Sequence, residues 1–339
     1  METIMAGTRV LLLDLRPGRP AGLRPFELFS ARCYRPKLST FRHKLEYLPV
    51  RLLARLVGAL PRPLARGFCE SIAMLIYLAH RRLRSVGLRN LDLAFPEKSR
   101  KAKAQILRRL FQGLGRQLAE FALFPRYTMD NASEVAIYEG FQNFAAAQAC
   151  GKGVLFLTAH FGGWEIGSFV HSLNGHAMNI VVRPLDNPFV DAMVDGYRTL
   201  HGNSTFGKQD FARGLLTAMK RGEVVGILMD TNMTPPQGAF VDFFGVPACT
   251  ATGVARVALH TGAAVLPAFT LWDRELGKYK IHFDPALPLV STGDDEADAI
   301  ANTARFTKVI EDYAARYPEQ WLWVHRRWKT RPPGEPPLY

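Results

Sequence analysis

The sequence has few cysteines and no long apolar run. Its four cysteines lie far apart and form no CxxC pair, which excludes a disulfide scaffold and a cysteine-based zinc site and suits a reducing compartment. No window reaches the roughly 18 uncharged apolar residues that a membrane-spanning helix needs. The nearest approach, Ser71–Ala79, is followed at once by His80 and Arg81, so it is predicted to be an interfacial or core helix with a basic rim. Asp14 and Arg16 interrupt the apolar start, which excludes a secretory signal.

Several catalytic motifs are also missing. The sequence contains no GxSxG, no GxxxxGK[ST] and no HExxH, so a hydrolase serine, a phosphate-binding P-loop and a zincin site have no support. A hydrophobic fraction of 48% and a charged fraction of 22% over 339 residues are those of a globular protein. A disordered, collagen-like or coiled-coil chain is therefore excluded, and the length fits one large α/β domain with an appendage or two ordinary domains.

The positive charge is concentrated in one part of the chain. Residues 1–129 carry 25 Lys and Arg against 8 Asp and Glu, whereas residues 130–339 carry 18 against 22. Such an asymmetry predicts that the basic part binds a polyanion, which would be nucleic acid, an anionic membrane or an acidic protein. The alternative is a soluble helical surface that is simply basic. Nucleic acid is disfavoured because the region lacks interleaved aromatic residues and any recognisable reading motif.

Changes in composition divide the chain into four predicted regions. Residues 1–43 are rich in Pro and Arg and are predicted to be a poorly ordered extension. Residues 44–129 are predicted to be a basic, amphipathic, membrane-facing helical region, followed by an α/β core over 130–331 and a tail over 332–339. The helices predicted in the basic region are Leu45–Leu60, Leu64–Arg84 and Lys101–Phe124.

The core region alternates short apolar strands with helices. Gly153–Ala159, Asn179–Arg183 and Val224–Met229 are predicted strands, and Trp164–Leu173 is a predicted helix. This alternation predicts a mixed, largely parallel sheet flanked by helices. Active sites on such sheets lie beyond the carboxyl ends of the strands.

A histidine and a glutamate follow the first of these strands. His160 is separated from Glu165 by a turn that contains Gly162 and Gly163, so both side chains could face one cavity. An imidazole can take a proton near neutral pH, and a carboxylate on its second nitrogen fixes the tautomer. The N–H groups of the two glycines are candidates for binding an oxyanion. On spacing alone, an ordinary histidine at a strand end remains the alternative.

Polar residues also end the next two strands. Arg183 is predicted to hold a phosphate through its planar guanidinium, or else to form a salt bridge with Asp186 or Asp230. Asp230 is predicted to support His160 or Arg183, with a cap on its own loop as the alternative.

Aromatic residues cluster in two later segments. Phe243 and Phe244 are predicted to belong to the core. The tryptophans of segment 318–329 are predicted to lie at a membrane interface or, alternatively, to pack on the sheet.

Three of these segments, taken in order, resemble one protein family. AHFGGWE (159–165), FFGxPAxT (243–250) and PEQWLWVHRRWK (318–329) resemble the lipid A biosynthesis lauroyl/myristoyl acyltransferases, distant relatives of the glycerolipid acyltransferases that carry a His-x4-Asp/Glu box. The likeness runs from about Leu45 to Arg331. Members commonly have Asp-Gln where this chain has Asp230-Thr231, often Asn at the position of Gly163, and many have an apolar N-terminal membrane helix.

The resemblance implies direct acyl transfer from an acyl carrier protein thioester to a hydroxyl of a lipid A precursor, without a covalent enzyme intermediate, cofactor or metal. His160 and Glu165 take the position of the family's catalytic dyad, and Arg183 and Asp230 fall where its other polar site residues lie. The implied location is the cytoplasmic face of the inner membrane, with peripheral or monotopic attachment. Two alternatives are an acyltransferase acting on another glycolipid, such as a phosphatidylinositol mannoside, and a non-enzymatic basic protein that binds a membrane or nucleic acid.

Overall fold

The computed structural model describes residues 41–207 and 211–339. Most of the extension predicted over residues 1–43 lies outside the described residues. The described residues belong to one compact unit, so the basic helical region and the α/β core are parts of the same body. Within these residues, no helix combines the length and the hydrophobicity needed to cross a bilayer.

The basic region is helical, as predicted. Its helices are α1 (Phe41–Ala59), α2 (Arg62–Ala79), α3 (Arg81–Ala94) and α4 (Arg100–Leu123). The helix predicted to run to Arg84 instead ends at Ala79, because His80 has φ −93° and ψ 80° and leaves the helical conformation. The Nδ1 atom of His80 then accepts a hydrogen bond from the Leu83 N–H at 3.4 Å and caps α3. No proline or glycine marks this break in the sequence.

The core contains two sheets. Its strands are β1 (Ala136–Glu139), β2 (Val154–Thr158), β3 (Asn179–Val182), β4 (Ser204–Gly207), β5 (Val224–Leu228), β6 (Gly238–Phe243), β7 (Val246–Ala251), β8 (Ala264–Asp273) and β9 (Lys278–Phe283). Its helices are α5 (Ala132–Val135), α6 (Phe141–Ala149), α7 (Trp164–Leu173), α8 (Pro188–Arg198), α9 (Phe211–Lys220), α10 (Gly253–Thr261) and α11 (Asp295–Arg316).

The large sheet has the order β1-β9-β8-β2-β5-β3-β4. All its neighbouring strands are parallel except β8 and β9, which confirms the predicted mixed, largely parallel sheet. β6 and β7 form a separate antiparallel hairpin. Residues alternate between the two faces of the sheet, so Leu155 and Leu157 join one core cluster while Val154 and Phe156 join the other, together with residues of α7.

A buried carboxylate attaches α2 to α4. Glu120 of α4 is fully buried and accepts hydrogen bonds from Arg62 at 3.1 Å, from Arg66 at 2.5 Å and from the hydroxyl of Tyr127. The two helices approach closely at Gly115, where a Cβ atom would lie 2.6 Å from the Cys69 carbonyl oxygen. Helices α2 and α4 of the basic region are therefore fastened to each other by a charged network as well as by close backbone packing.

Replacing Glu120 with Ala is expected to lower the free energy of unfolding by about 3–5 kcal/mol, because two guanidinium groups lose their buried counter-charge. Asp312→Ala is the matched control, since Asp312 is half-exposed and pairs with Lys308 on a helix surface, where such pairs contribute about 0–1 kcal/mol. Urea unfolding followed by circular dichroism measures both. A cost for Glu120→Ala no larger than that of the control would show that the network does not stabilise the fold.

Candidate active site

The strand order brings His160 next to Asp230. β2 and β5 are parallel neighbours in which Thr158 pairs with Leu228, so the residues two positions further on meet where both strands end. The Nδ1 atom of His160 lies 2.9 Å from Asp230 Oδ1, and the backbone N–H of His160 donates to Oδ2 at 2.9 Å. Of the alternatives predicted for Asp230, the structure shows the contact with His160.

The Asp230 carboxylate is fully buried and held by several donors. The indole N–H of Trp321 donates to Oδ2 at 2.9 Å, in addition to the two bonds from His160. Burial alone would raise the pKa of Asp230, but the charge and hydrogen bonds of His160 outweigh burial and hold the pKa well below its ordinary value. An ionised carboxylate can only accept hydrogen bonds, so Nδ1 of His160 must be the protonated nitrogen that donates to Asp230. In the neutral ring, the other nitrogen, Nε2, then carries the lone pair that can accept a proton.

Glu165 lies in the first turn of α7 and faces α8. Arg198 of α8 binds it with both arms of its guanidinium, Nε to Oε2 at 2.9 Å and NH2 to Oε1 at 2.5 Å. Burial opposes the charge of Arg198, but the bonds from Glu165 outweigh it and raise the pKa of Arg198. Sequence reasoning had placed Glu165 on the second nitrogen of His160, whereas Asp230 occupies that position in the structure.

His160, Glu165 and Arg198 line one apolar cavity of about 240 Å³, and Asp230 lies buried behind His160. The cavity lies between the sheet and α7. Its charged lining residues lie just beyond the strand ends and in α7 and α8. Most of its lining along the strands is apolar and includes Phe156, Met178, Ile180, Gly226, Ala268, Ile281 and Phe283. Since a strand rises about 3.3 Å per residue, the cavity extends on the order of 10 Å from His160 into the protein. It has the shape and the lining of a slot for a long apolar ligand.

His171 of α7 contributes a neutral ring to the lining. Burial first, and then the neighbouring charge of His176, lower the pKa of His171 to about 3. Its Nδ1 atom lies 3.0 Å from the Tyr138 hydroxyl. The inner part of the cavity therefore stays uncharged at physiological pH.

Contrary to expectation, the N–H groups of Gly162 and Gly163 do not face the cavity. Gly162 donates to the Gln320 carbonyl and Gly163 to the Thr270 carbonyl, each at 2.8 Å. Gly162 has φ +52°, and a Cβ atom there would lie 2.1 Å from the Thr270 oxygen, so glycine is needed for close backbone packing. The expectation that these groups bind an oxyanion is corrected: both N–H groups are already used to hold the turn.

Arg183 is exposed and lines the cavity. Within the described residues it forms an ion pair with neither Asp186 nor Asp230, so the predicted salt bridge is absent there. Arg183 directly follows the last residue of β3, so it lies at the carboxyl end of that strand.

Residues of the C-terminal segment 318–329 contact Asp230 and the turn that follows His160. Trp321, Trp323 and Trp328 are fully buried in the core, so of the two alternatives predicted for them, packing on the sheet is confirmed and a membrane interface is wrong. Phe161 and Trp321 form an antiparallel bridge, and His325 Nε2 lies 3.0 Å from the Asp230 carbonyl oxygen.

Arg327 is the second support from this segment. It is fully buried, stacks 5.1 Å from the Phe243 ring and donates to the Cys249 carbonyl at 3.1 Å. Burial lowers the pKa of Arg327 to about 10. Sequence reasoning had expected Phe243 in the core, which is confirmed, but it missed Trp321, His325 and Arg327 as supports of Asp230 and its loop.

These features define an α/β enzyme with a histidine–aspartate pair beside an apolar slot. The model of the bacterial lipid A biosynthesis acyltransferases matches residues 35–330, and the chain belongs to this family of acyltransferases. The lipid A biosynthesis lauroyltransferase of Escherichia coli (strain K12) is 31% identical over 313 residues, which cover 90% of this chain and 99% of that protein. The lipid A biosynthesis palmitoleoyltransferase of the same organism is 28% identical over 297 residues, 87% of this chain and 90% of that protein.

Proposed function

We propose that this acyltransferase moves a fatty acyl chain from an acyl carrier protein thioester to a hydroxyl of a lipid A precursor. The observation that carries the proposal is His160 at the wall of the apolar cavity, with its Nδ1 atom 2.9 Å from the buried Asp230 carboxylate. The acyl chain would lie in the cavity, where burial contributes about 0.8 kcal/mol per methylene. The thioester carbonyl would then lie near His160 at the strand ends.

The chemistry needs one base and no enzyme nucleophile. The acceptor hydroxyl gives its proton to Nε2 of His160 while its oxygen attacks the thioester carbonyl. The new C–O bond forms, the C–S bond breaks, and the proton passes from His160 to the leaving thiolate. The Asp230 carboxylate holds the ring in the required tautomer and stabilises the imidazolium.

Glu165 and Arg198 act as a second charged pair at the same wall in this proposal. Because Arg198 neutralises the Glu165 carboxylate, we assign Glu165 to holding Arg198 in place and to shaping the wall of the cavity. Arg183 would hold a phosphate of the acceptor or of the donor's phosphopantetheine arm.

The acceptor class is the finer part of the proposal. The relatives are named for lipid A biosynthesis. In addition, the His-x4-Asp/Glu box of this chain ends in Glu165, whereas that of phosphatidylinositol mannoside acyltransferases commonly ends in Asp. Both points favour a lipid A precursor as the acceptor. The test is to incubate the purified protein with an acyl carrier protein thioester and either a lipid A precursor or a phosphatidylinositol mannoside, and to read the product by mass spectrometry. An added acyl chain on the lipid A precursor alone is expected. Acylation of the mannoside only, or of neither lipid, would contradict the proposal.

A membrane surface is the proposed location, and α1 offers the contact. Leu45, Leu48, Leu52 and Leu56 recur on one stripe of α1, and each is more than half exposed. The stripe is flanked along α1 by exposed basic residues, namely Arg42, Lys44, Arg51 and Arg55. Apolar side chains within a basic rim fit an anionic lipid surface, to which each nearby Lys or Arg is drawn by about 1 kcal/mol.

We expect Leu48→Ser/Leu52→Ser to weaken binding to phosphatidylethanolamine–phosphatidylglycerol vesicles about tenfold or more, because two leucines no longer enter the interface. The matched control is Leu200→Ser/Ile300→Ser, which removes two other exposed apolar side chains. Vesicle sedimentation measures both variants. Raising the salt to about 0.5 M should also release the wild type by screening the basic rim. Equal binding by both double variants would place the membrane contact elsewhere.

A further inference from the structure

A second cavity lies beside the turn formed by residues 161–164, which separates it from the first cavity. Its volume is about 60 Å³, enough for a group of several heavy atoms, and it is formed by α4, the β8–β9 hairpin and the turn that follows His160. Trp164 lines both cavities, and its indole ring lies 5.3 Å from the His160 imidazole. A group bound in the second cavity would therefore be separated from the base by one aromatic side chain.

The lining of this cavity is basic. Among the described residues it contains three guanidinium groups, Arg109, Arg116 and Arg274, against the single carboxylate of Glu319. Like charges gathered in a concave site raise the local concentration of counter-ions. The lining thus favours an anion.

The three arginines differ in how they are held. Arg116 is fixed, since it pairs with Glu70 at 2.8 Å and stacks 4.1 Å from the Trp272 ring. Arg109 and Arg274 form no ion pair within the part of the chain that the structure describes. The acidic neighbour of Arg274, Asp273, is already engaged by Lys280 at 2.8 Å. Two guanidinium forks are therefore available to a ligand.

We infer that the second cavity binds a phosphate group of a substrate and so positions that substrate across Trp164 from His160. A guanidinium binds phosphate oxygens in a bidentate manner, and two or three of them suit a doubly charged group. The inference rests on the proposed function for its sources of phosphate, which are a sugar phosphate of the glycolipid acceptor and the phosphodiester of the phosphopantetheine arm.

The test uses Arg109→Gln/Arg274→Gln in the full-length protein. The matched control is Arg108→Gln/Lys278→Gln, which removes two positive charges from the neighbouring positions on α4 and the hairpin but outside the cavity. Transfer is measured with a phosphorylated and a dephosphorylated acceptor, and separately with acyl-phosphopantetheine and acyl-pantetheine as donors. We expect kcat/KM to fall about tenfold or more with one phosphorylated substrate and less than about twofold with its phosphate-free form. The substrate that shows this difference is the source of the phosphate.

Binding gives a readout that does not need turnover. Trp164 and Trp272 both line the cavity, so phosphopantetheine or a sugar phosphate, neither of which carries an acyl chain for the first cavity, should change their fluorescence. The change is expected in the wild type and in the control but not in Arg109→Gln/Arg274→Gln. If the double variant does not fold, Arg274→Gln alone replaces it, because Arg274 is exposed. Equal losses for phosphorylated and phosphate-free substrates, or losses no larger than those of the control, would overturn the inference. Ligand binding without any acyl transfer by the wild type would instead refute the proposed function alone.

Discussion

Replacing His160 with Ala is expected to reduce the rate of acyl transfer by about 10²–10⁴-fold, because general-base catalysis contributes an effect of that size. The side chain is partly exposed at the cavity wall, and its loss leaves the strand pairing intact. The measurement is single-turnover transfer from an acyl carrier protein thioester, followed by mass spectrometry. The proposed function depends on this effect more than on any other.

The control for this variant is His260→Ala. His260 is an exposed histidine in the last turn of α10, outside the cavity, and its replacement should leave the rate within about twofold. Circular dichroism checks that both variants are folded. A His160→Ala protein that is folded and transfers at the wild-type rate would remove His160 from the mechanism.

Replacing Asp230 with Asn is expected to cost about 10³–10⁴-fold in turnover, as the loss of the buried partner does in comparable histidine–carboxylate pairs. Asn keeps the shape but lacks the charge, and its amide can donate to Nδ1, which would move the proton of the ring to Nε2. The ring could then no longer accept the substrate proton at Nε2. KM should change much less than kcat, because Asp230 is fully buried and acts through His160.

Asp242→Asn is the matched control for this charge change, since Asp242 is exposed in the β6–β7 hairpin and bonds the Gly245 N–H at 2.9 Å. Glu165→Gln provides the comparison within the site. Because Arg198 already neutralises Glu165, this variant should lose less kcat than Asp230→Asn. Wild-type turnover by Asp230→Asn together with an inactive Glu165→Gln would show that Glu165 is the functional partner of His160.

Local sequence patterns predicted the elements that carry the site. Helix α7 has the predicted bounds, and β2 and β5 lie within one residue of the predicted strands at each end, because apolar runs of five to seven residues bounded by glycine or polar residues are strong strand signals. The placement of His160, Arg183 and Asp230 at the ends of parallel strands followed from the same patterns.

The partners within the site depend on tertiary structure. β2 is followed in sequence by β3 but lies beside β5 and β8, so the neighbour of His160 comes from a strand 70 residues away. The pairing of Glu165 with Arg198 likewise requires α7 and α8 to pack together. Trp321 reaches Asp230 from near the C-terminus, and no local pattern distinguishes a tryptophan that packs on a sheet from one at a membrane.

The pH dependence of kcat/KM in the wild type, Glu165→Gln and His160→Ala tests the central claim most directly. A base must be deprotonated to act, so the rate should fall towards low pH in the first two proteins, and this acid limb should be absent from the residual activity of His160→Ala. An acid limb that persists unchanged in His160→Ala, or that disappears in Glu165→Gln while His160 is present, would show that another group accepts the proton.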